Sequence, residues 1–344
     1  MSNLKVALVG CGKIGQKHLQ ALIHSQSAQL IATVDTDGEK AAAAAVAFDA
    51  ASYITLEDLV RHETPDALIV ATPSGTHRAL TQYALEQGLH VMVEKPMALE
   101  VRDAVAMVDM AAKHGRILTV TQFNRLLPTV SLARDVYHSG RLGRLIEGGI
   151  SVRWARPQSY YDAAWWRGTR DMDGGVLFNQ AIHALDVLLQ FSGPVVEVFA
   201  FSGTQTHQIE AEDTVAAVMH TADGAFLTVN ATTSVADTNL EERIVLVGDE
   251  GSIVIGPSVQ QLEFWRVPGD DEEGVKREIS QAPARSGWQS HAEALSDFVR
   301  AIRGTAPSAL SAASAIHVIE VIEAMMRSAA EHRPIRLAEE GLHE

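Results

Sequence analysis

Short apolar runs alternate with amphipathic stretches through the first third of the chain. Leu4–Gly10 is β-branched and ends on glycine, which predicts a strand. Ile14–Ser25 has helical periodicity, and Gln29–Asp35 reads as a second strand. The alanine-rich stretch Glu39–Phe48 has high helix propensity, and Thr55 followed by Asp58 marks a helix N-cap. Ala67–Thr72, stopped by Pro73, and His90–Glu94, stopped by Lys95-Pro96, complete a set of mostly apolar strands. Helices His77–Gln87 and Leu99–His114 end on Gly88 and Gly115, and Ile117–Phe123 is a further strand. Apolar strands separated by helices predict a parallel sheet covered on both faces.

The pattern then changes. A helix over Val130–His138 precedes a long strand, Arg144–Trp154, and a helix over Gly175–Gln190. Extended runs follow at Val195–Phe201, Thr214–Thr221, Gly224–Val235, Glu242–Val247, Ser252–Ile255 and Leu262–Val267. Asp223-Gly224 and Glu250-Gly251 are hairpin turns between them. Asp270–Arg285, acidic and proline-containing, reads as a mobile surface loop, and helices over Trp288–Arg303 and Ala309–Glu331 close the chain. The expected fold is an α/β N-terminal Rossmann domain over 1–122. An α+β domain over 123–344 would carry a large, mostly antiparallel, open-faced sheet. The C-terminal helices have room to pack back on the first domain.

Gly10-Cys11-Gly12-Lys13-Ile14-Gly15 sits between the first strand and the first helix, the context that a dinucleotide site requires. Gly10 allows the turn, Gly12 admits the pyrophosphate, and Gly15 lets helix and strand pack closely. Lys13 and Ile14 open the helix whose N-terminus would face the anion. Asp35 ends the second strand 20 residues after Gly15. A carboxylate there accepts the ribose hydroxyls of NAD and repels the 2′-phosphate of NADP, and Asp37 adds a second acid. NAD is therefore favoured over NADP. Cys11 reads as a filler of the turn and not as a nucleophile.

Charge narrows the partners. With 28 Lys and Arg against 43 Asp and Glu in 344 residues, the net charge is −15, which argues against nucleic acid. One cysteine excludes an intrachain disulfide. Met1–Gly10 turns polar too soon for a signal peptide, and no charge-free apolar run reaches the ~18 residues of a membrane span. A cytoplasmic enzyme with no membrane partner is expected. No paired-cysteine or His-Glu-x-x-His pattern suggests a metal.

Ala71-Thr72-Pro73-Ser74-Gly75-Thr76-His77, followed by Glu94-Lys95-Pro96, resembles the Gfo/Idh/MocA oxidoreductase family, and the resemblance covers nearly the whole chain. It implies that Lys95 lies by the nicotinamide and touches the substrate hydroxyl. Glu94 and Pro96 would shape its turn, and Thr72, Pro73, His77 and Glu94 would line the cofactor groove. The segment Gly174–Asp186 matches the family's second signature, with His183 at the active-site histidine. Many members carry Asp four residues before it; this chain has Asn179, which offers no carboxylate to polarise His183 from there. Asn179 and Gln180 can still bond a sugar hydroxyl, and on an α-helix Asn179 and His183 share one face. At the domain junction, Asn124 and Arg125 could face substrate.

Arg153, Arg156, Arg167 and Arg170 fall within 18 residues, interleaved with Tyr160 and tryptophans. With the Asn179-Gln180 variant, this segment is similar to the subgroup that oxidises C3 of UDP-N-acetyl-hexosaminuronic acids. Diphosphate and carboxylate both suit bidentate guanidinium contacts, and aromatic rings suit sugar or uracil faces. The expected reaction is hydride transfer between a sugar carbinol and nicotinamide, with Lys95 and His183 handling the proton. A free-sugar or inositol dehydrogenase, or a deoxysugar ketoreductase, would need fewer cations. A redox sensor that only binds NAD(H) would need neither Lys95 nor His183. The exposed outer face of the antiparallel sheet predicts a homodimer or, by family resemblance, a homotetramer.

Overall fold

A computed structural model describes residues 3–283, 285 and 287–337. The chain forms two compact units: Met1–Phe123 with Arg285–Ile316, and Asn124–Ala284 with His317–Glu344.

The first unit is built on β1 (Leu4–Val9), α1 (Lys13–Ile23), β2 (Ala28–Val34), α2 (Gly38–Val46), β3 (Ala51–Tyr53) and α3 (Leu56–His62). It continues with β4 (Ala67–Val70), α4 (His77–Glu86), β5 (His90–Val93), α5 (Val101–Lys113) and β6 (Leu118–Val120). All six strands are parallel, in the order β3-β2-β1-β4-β5-β6. Each residue of β4 is buried, as its unbroken apolar run requires. The order reverses between β1 and β4, which opens the crevice where such sheets bind ligands. Asp37 caps α2 by accepting from the amides of Glu39 and Lys40, and Thr55 caps α3 by accepting from Asp58 N. Gly88 and Gly115 have φ of +79° and +61°, the left-handed exits expected of them.

Three sequence expectations change here. β3 has no signature in the sequence, because two half-buried residues flanking an exposed Ser52 give too little pattern. The strand expected over Ile117–Phe123 is only Leu118–Val120, since Phe123 already enters a 3-10 turn with Leu126. The helix expected from Ala309 starts at Ile316, after a short 3-10 turn at Ala313–Ala315. Before it the chain is extended and bonds β6, with Val120 N donating to Leu310 O and Ala312 N to Leu118 O.

The second unit begins with α6 (Pro128–His138), β7 (Leu145–Arg153), α7 (Gln158–Asp162) and α8 (Ile182–Ser192). Strands β8 (Val195–Gly203), β9 (Thr214–Thr221), β10 (Phe226–Thr232), β11 (Glu241–Gly248), β12 (Ser252–Ile255) and β13 (Leu262–Arg266) follow. Then come α9 (Glu272–Gln281), α10 (Trp288–Ile302, in the first unit), α11 (Ile316–Glu331) and β14 (Ile335–Arg336). The sheet runs β13-β12-β11-β7-β10-β9-β8-β14, antiparallel except for the pair β7–β10. One face is buried by alternation: Val215, Ala217 and Met219 point in, while Val218 is 54% exposed. Phe201 and Phe226, at 62% and 63%, share that outer face.

Asp270–Arg285 is not a loop throughout. Glu272–Gln281 is helical, with two acids in its first turn, a Lys276–Glu272 pair and Ile279 as its buried residue. Acidic residues at a helix N-terminus and an i,i+4 ion pair stabilise what composition alone suggested was a loop.

Candidate active site

The glycine turn follows from steric necessity. Gly10 has φ +92°, and a Cβ there would sit 2.4 Å from Ala71 O, so β1 and the end of β4 approach as only glycine permits. At Gly15 a Cβ would lie 2.1 Å from Gly10 O, whereas at Gly12 it would meet nothing within 4 Å. Gly12 therefore opens a space at the N-terminus of α1, which carries no side-chain cap and no acid in its first turn. Such an end suits an anion. The Asp35 carboxylate accepts from Cys11 N at 2.8 Å and from Asp37 N at 2.9 Å, which holds it beside the turn. Burial, then the Asp35 charge, push the Cys11 thiol up to about 12, so it is no thiolate. These residues fit NAD: Gly10–Gly15 would hold the pyrophosphate and Asp35 the ribose. Gly15→Ala should cost about 1–3 kcal/mol of packing and weaken NADH binding roughly tenfold or more. NADH fluorescence titration checks this, and an unchanged affinity refutes it.

The second strand-end motif is tied to the first. Thr76 Oγ1 donates to Pro73 O at 2.7 Å, so Thr72 Oγ1 donates to Thr76 at 2.7 Å. His77 is 1% exposed and bridges the two motifs, Nδ1 lying 2.7 Å from Pro96 O and Nε2 2.9 Å from Thr72 O. The expectation that His77 lines the groove is thus corrected: its ring is a clamp between the loops. Lys95, half-buried, has its backbone N–H shared by Glu94 Oε2 and Thr121 Oγ1, each at 3.3 Å, before the cis Lys95-Pro96 bond. Glu94 is itself buried, and its Oε1 takes a 2.8 Å bond from His18 Nε2. Burial raises the Glu94 pKa, but bonds from His18 and His291 outweigh it and hold the carboxyl well below its ordinary range. Glu94 therefore shapes the turn, and its place among groove residues is withdrawn.

In the second unit, the helix carrying His183 is not α-helical throughout. Leu177–Ala181 is π-helical and α8 begins at Ile182, so Asn179 and His183 do not stand one α-turn apart as expected. Asn179 Nδ2 donates to Asp173, whose other oxygen accepts from Gly168 N at 2.8 Å. An acid therefore lies one hydrogen bond from position 179, at Asp173. Glu212 anchors the same segment: its Oε1 accepts from Leu177 N at 3.2 Å, and a Cβ on Gly175 would lie 2.3 Å from its oxygens. Burial, aided by the Asp173 charge, pushes Glu212 up to about 7. Neither acid stood out in the sequence; the Gly174-Gly175 pair was the only signal. Gln180 is 3% exposed, so it is not offered to substrate as expected.

Asn124 and Arg125 are also turned inward. Asn124 bonds Glu242, whose carboxyl burial pushes up to about 7. Arg125 is 4% exposed and grips Asp186 with two nitrogens, Nε to Oδ2 at 2.7 Å. The expectation that these two face substrate is corrected. The four arginines separate likewise. Arg153 pairs with Glu241 and Ser151 on the outer sheet face, and Arg170 bonds the Glu210 carbonyl at 3.1 Å. Arg156 and Arg167 converge on Tyr160, 5.5 Å and 4.2 Å from its ring centre, with Trp154 and Trp166 flanking. Neither has an ion pair among the described residues.

Residues 4–122 match the model of an oxidoreductase family with an NAD-binding Rossmann fold, and 130–254 match the GFO/IDH/MocA C-terminal domain. A WlbA dehydrogenase from Chromobacterium violaceum, solved with NADH and UDP-GlcNAcA, is 33% identical with a TM-score of 0.92. The match covers 98% of this chain and 97% of that one. The chain belongs to the Gfo/Idh/MocA family. As a Gfo/Idh/MocA member it is an NAD-dependent oxidoreductase. The Bordetella pertussis WlbA dehydrogenase, also solved with NADH and UDP-GlcNAcA, is 32% identical, covers 98% of each chain and has a TM-score of 0.92. A 1-carboxy-3-chloro-3,4-dihydroxycyclohexa-1,5-diene dehydrogenase from Comamonas testosteroni is 32% identical over 58% of this chain, a match spanning half of that protein.

Proposed function

We propose that the protein oxidises a carbinol carbon of an anionic nucleotide sugar, C3 of a UDP-N-acetyl-hexosaminuronic acid or its hexosamine, with NAD⁺ as hydride acceptor. The observation that carries this reading is the pair Arg156 and Arg167 on one tyrosine ring, without a carboxylate partner among the described residues, in a chain of net charge −15. Two guanidiniums held by an aromatic face suit a diphosphate or carboxylate and have no use for a neutral polyol. Two relatives solved with UDP-GlcNAcA support the same substrate class.

Nicotinamide supplies the hydride chemistry when bound. The chain's residues orient the alcohol and take its proton. Lys95 is the base or hydroxyl orienter, His183 shares the role, and Asn179, oriented by Asp173, bonds a sugar hydroxyl. We keep the cytoplasmic assignment on the single buried cysteine and the absence of any membrane-length apolar helix among the described residues. Self-association through the outer sheet face, where Phe201, Val218 and Phe226 lie exposed, is part of the same reading.

A thermal-shift screen with NAD⁺ tests the substrate. UDP-sugars carrying a uronate should raise the unfolding temperature and reduce NAD⁺, and an Arg156→Ala, Arg167→Ala double variant should lose both responses. Turnover of a free neutral sugar with no response to any UDP-sugar would overturn the reading.

A further inference from the structure

We propose that His291 is a positioning residue for the Lys95 turn, carrying both ring protons so that it serves as the buried counter-charge of Glu94. The sequence motifs did not include it. It enters from α10, in the segment Arg285–Ile316 that belongs to the dinucleotide unit.

Two hydrogen-bond donors and a second imidazole surround the Glu94 carboxylate. His18 Nε2 lies 2.8 Å and His291 Nε2 3.4 Å from Oε1, while Oε2 accepts from Lys95 N at 3.3 Å. The two imidazoles meet edge to face, 4.7 Å apart. All three side chains are buried. The other ring nitrogen of His291, Nδ1, is 3.1 Å from the carbonyl oxygen of Gly287. A carbonyl only accepts, so Nδ1 holds a proton. Nε2 then faces a carboxylate, which also only accepts. With a single ring proton, a lone pair would point at a negative charge in the interior. With two, the contact becomes an ion pair, which a buried carboxylate requires.

The neighbouring groups do not take this role. Nδ1 of His18 is buried without a partner, so one proton, on Nε2, satisfies that ring. Both nitrogens of His77 meet carbonyl oxygens and no carboxylate at bonding distance, so whatever protons that ring holds are spent on the two loops and not on Glu94. Lys17 lies against Gly287 at the far end of the His291 ring, and Lys95 follows Glu94 in the chain. The donor set could also hold a metal ion, but 2.8 Å between His18 Nε2 and Glu94 Oε1 is a hydrogen-bond length. Two ligands on one tetrahedral zinc would stand about 3.3 Å apart.

The consequence is mechanical. Glu94 holds the backbone of Lys95, and His291 with His18 holds Glu94, so loss of the His291 charge should let the Lys95 turn drift. Its effect on turnover rests on the reading of Lys95 as the proton-handling residue; its protonation does not. The test uses the full chain with ¹⁵N-labelled histidine, with and without NADH, in long-range ¹H–¹⁵N spectra across neutral pH. A ring with two bound protons should vanish from the spectrum in His291→Asn and become singly protonated in Glu94→Gln, whereas the His77 signals should not respond to either change. A singly protonated His291 in the parent protein, or one bound zinc per chain, would overturn the proposal. In kinetics, His291→Asn should lower kcat about 10- to 100-fold, as ångström-scale misplacement does, with little change in KM for NAD⁺. His291→Lys, which restores the charge, should recover part of it, and a fall that Lys does not rescue counts against the charge. If His291→Asn does not fold, the Glu94→Gln spectrum still decides. Should Lys95 not be the base, Lys95→Met would keep turnover while the spectra stood, so the two failures are distinguishable.

Discussion

Replacing Lys95 with methionine should lower kcat at least ~100-fold, the lower end of what a positioned acid or base contributes, while NADH affinity stays within a few-fold. Methionine keeps the length and the apolar stem and removes only the amine. The turn itself should survive, because Glu94 and Thr121 hold it through the backbone N–H of residue 95. Lys95→Arg separates two roles that the methionine change merges. A guanidinium keeps the charge and can donate to a hydroxyl, yet it does not give up its proton near neutrality. An orienting role therefore survives in Lys95→Arg, whereas a base role fails in both variants. Stopped-flow reduction of NAD⁺ reads the chemical step directly. Full turnover in Lys95→Met would remove residue 95 from the mechanism, and loss of NADH binding would make it a structural residue.

What the sequence conveyed of this site depended on how local each feature is. Gly10, Gly12 and Gly15 were legible because their constraint lies within one strand–helix turn, and the structure gives each a separate steric reason. The parallel strands were legible because burial on both faces leaves an unbroken apolar run, as in Ala67–Val70. Features made by distant residues were not. The inward turn of Arg125 needs Asp186, 61 residues away, and the node at Glu94 needs His18 and His291. The arginine-rich segment shows the same limit within one stretch. Its composition announced four cations, but only the fold shows that Glu241 neutralises Arg153 and that Arg156 and Arg167, each bonded to a backbone carbonyl, converge on Tyr160. The π-helical turn at Leu177–Ala181 had no sequence signal, because a one-residue widening leaves the apolar periodicity nearly intact.

Asp186→Ala should destabilise the protein by about 3–5 kcal/mol, the cost of leaving a buried charge without its partner. Asp186 and Arg125 are 3% and 4% exposed, so water cannot replace the lost carboxylate. Burial works against the Arg125 charge, and the Asp186 charge and hydrogen bonds more than offset it, raising the guanidinium's pKa. Without Asp186 the charge and hydrogen bonds that offset burial are lost. The pair also joins the 3-10 turn Phe123–Leu126 to α8, three residues beyond His183, so its loss should loosen the helix that carries His183. The double variant Arg125→Met, Asp186→Leu should recover much of the stability, since apolar side chains of similar volume replace a buried ion pair at little or no cost. Recovery of stability without recovery of kcat/KM would show that the ion pair sets the geometry of α8 as well as its anchorage. Urea unfolding followed by circular dichroism measures the first quantity. A single variant within about 1 kcal/mol of the parent, the worth of an exposed pair, would show that the two charges are solvated after all.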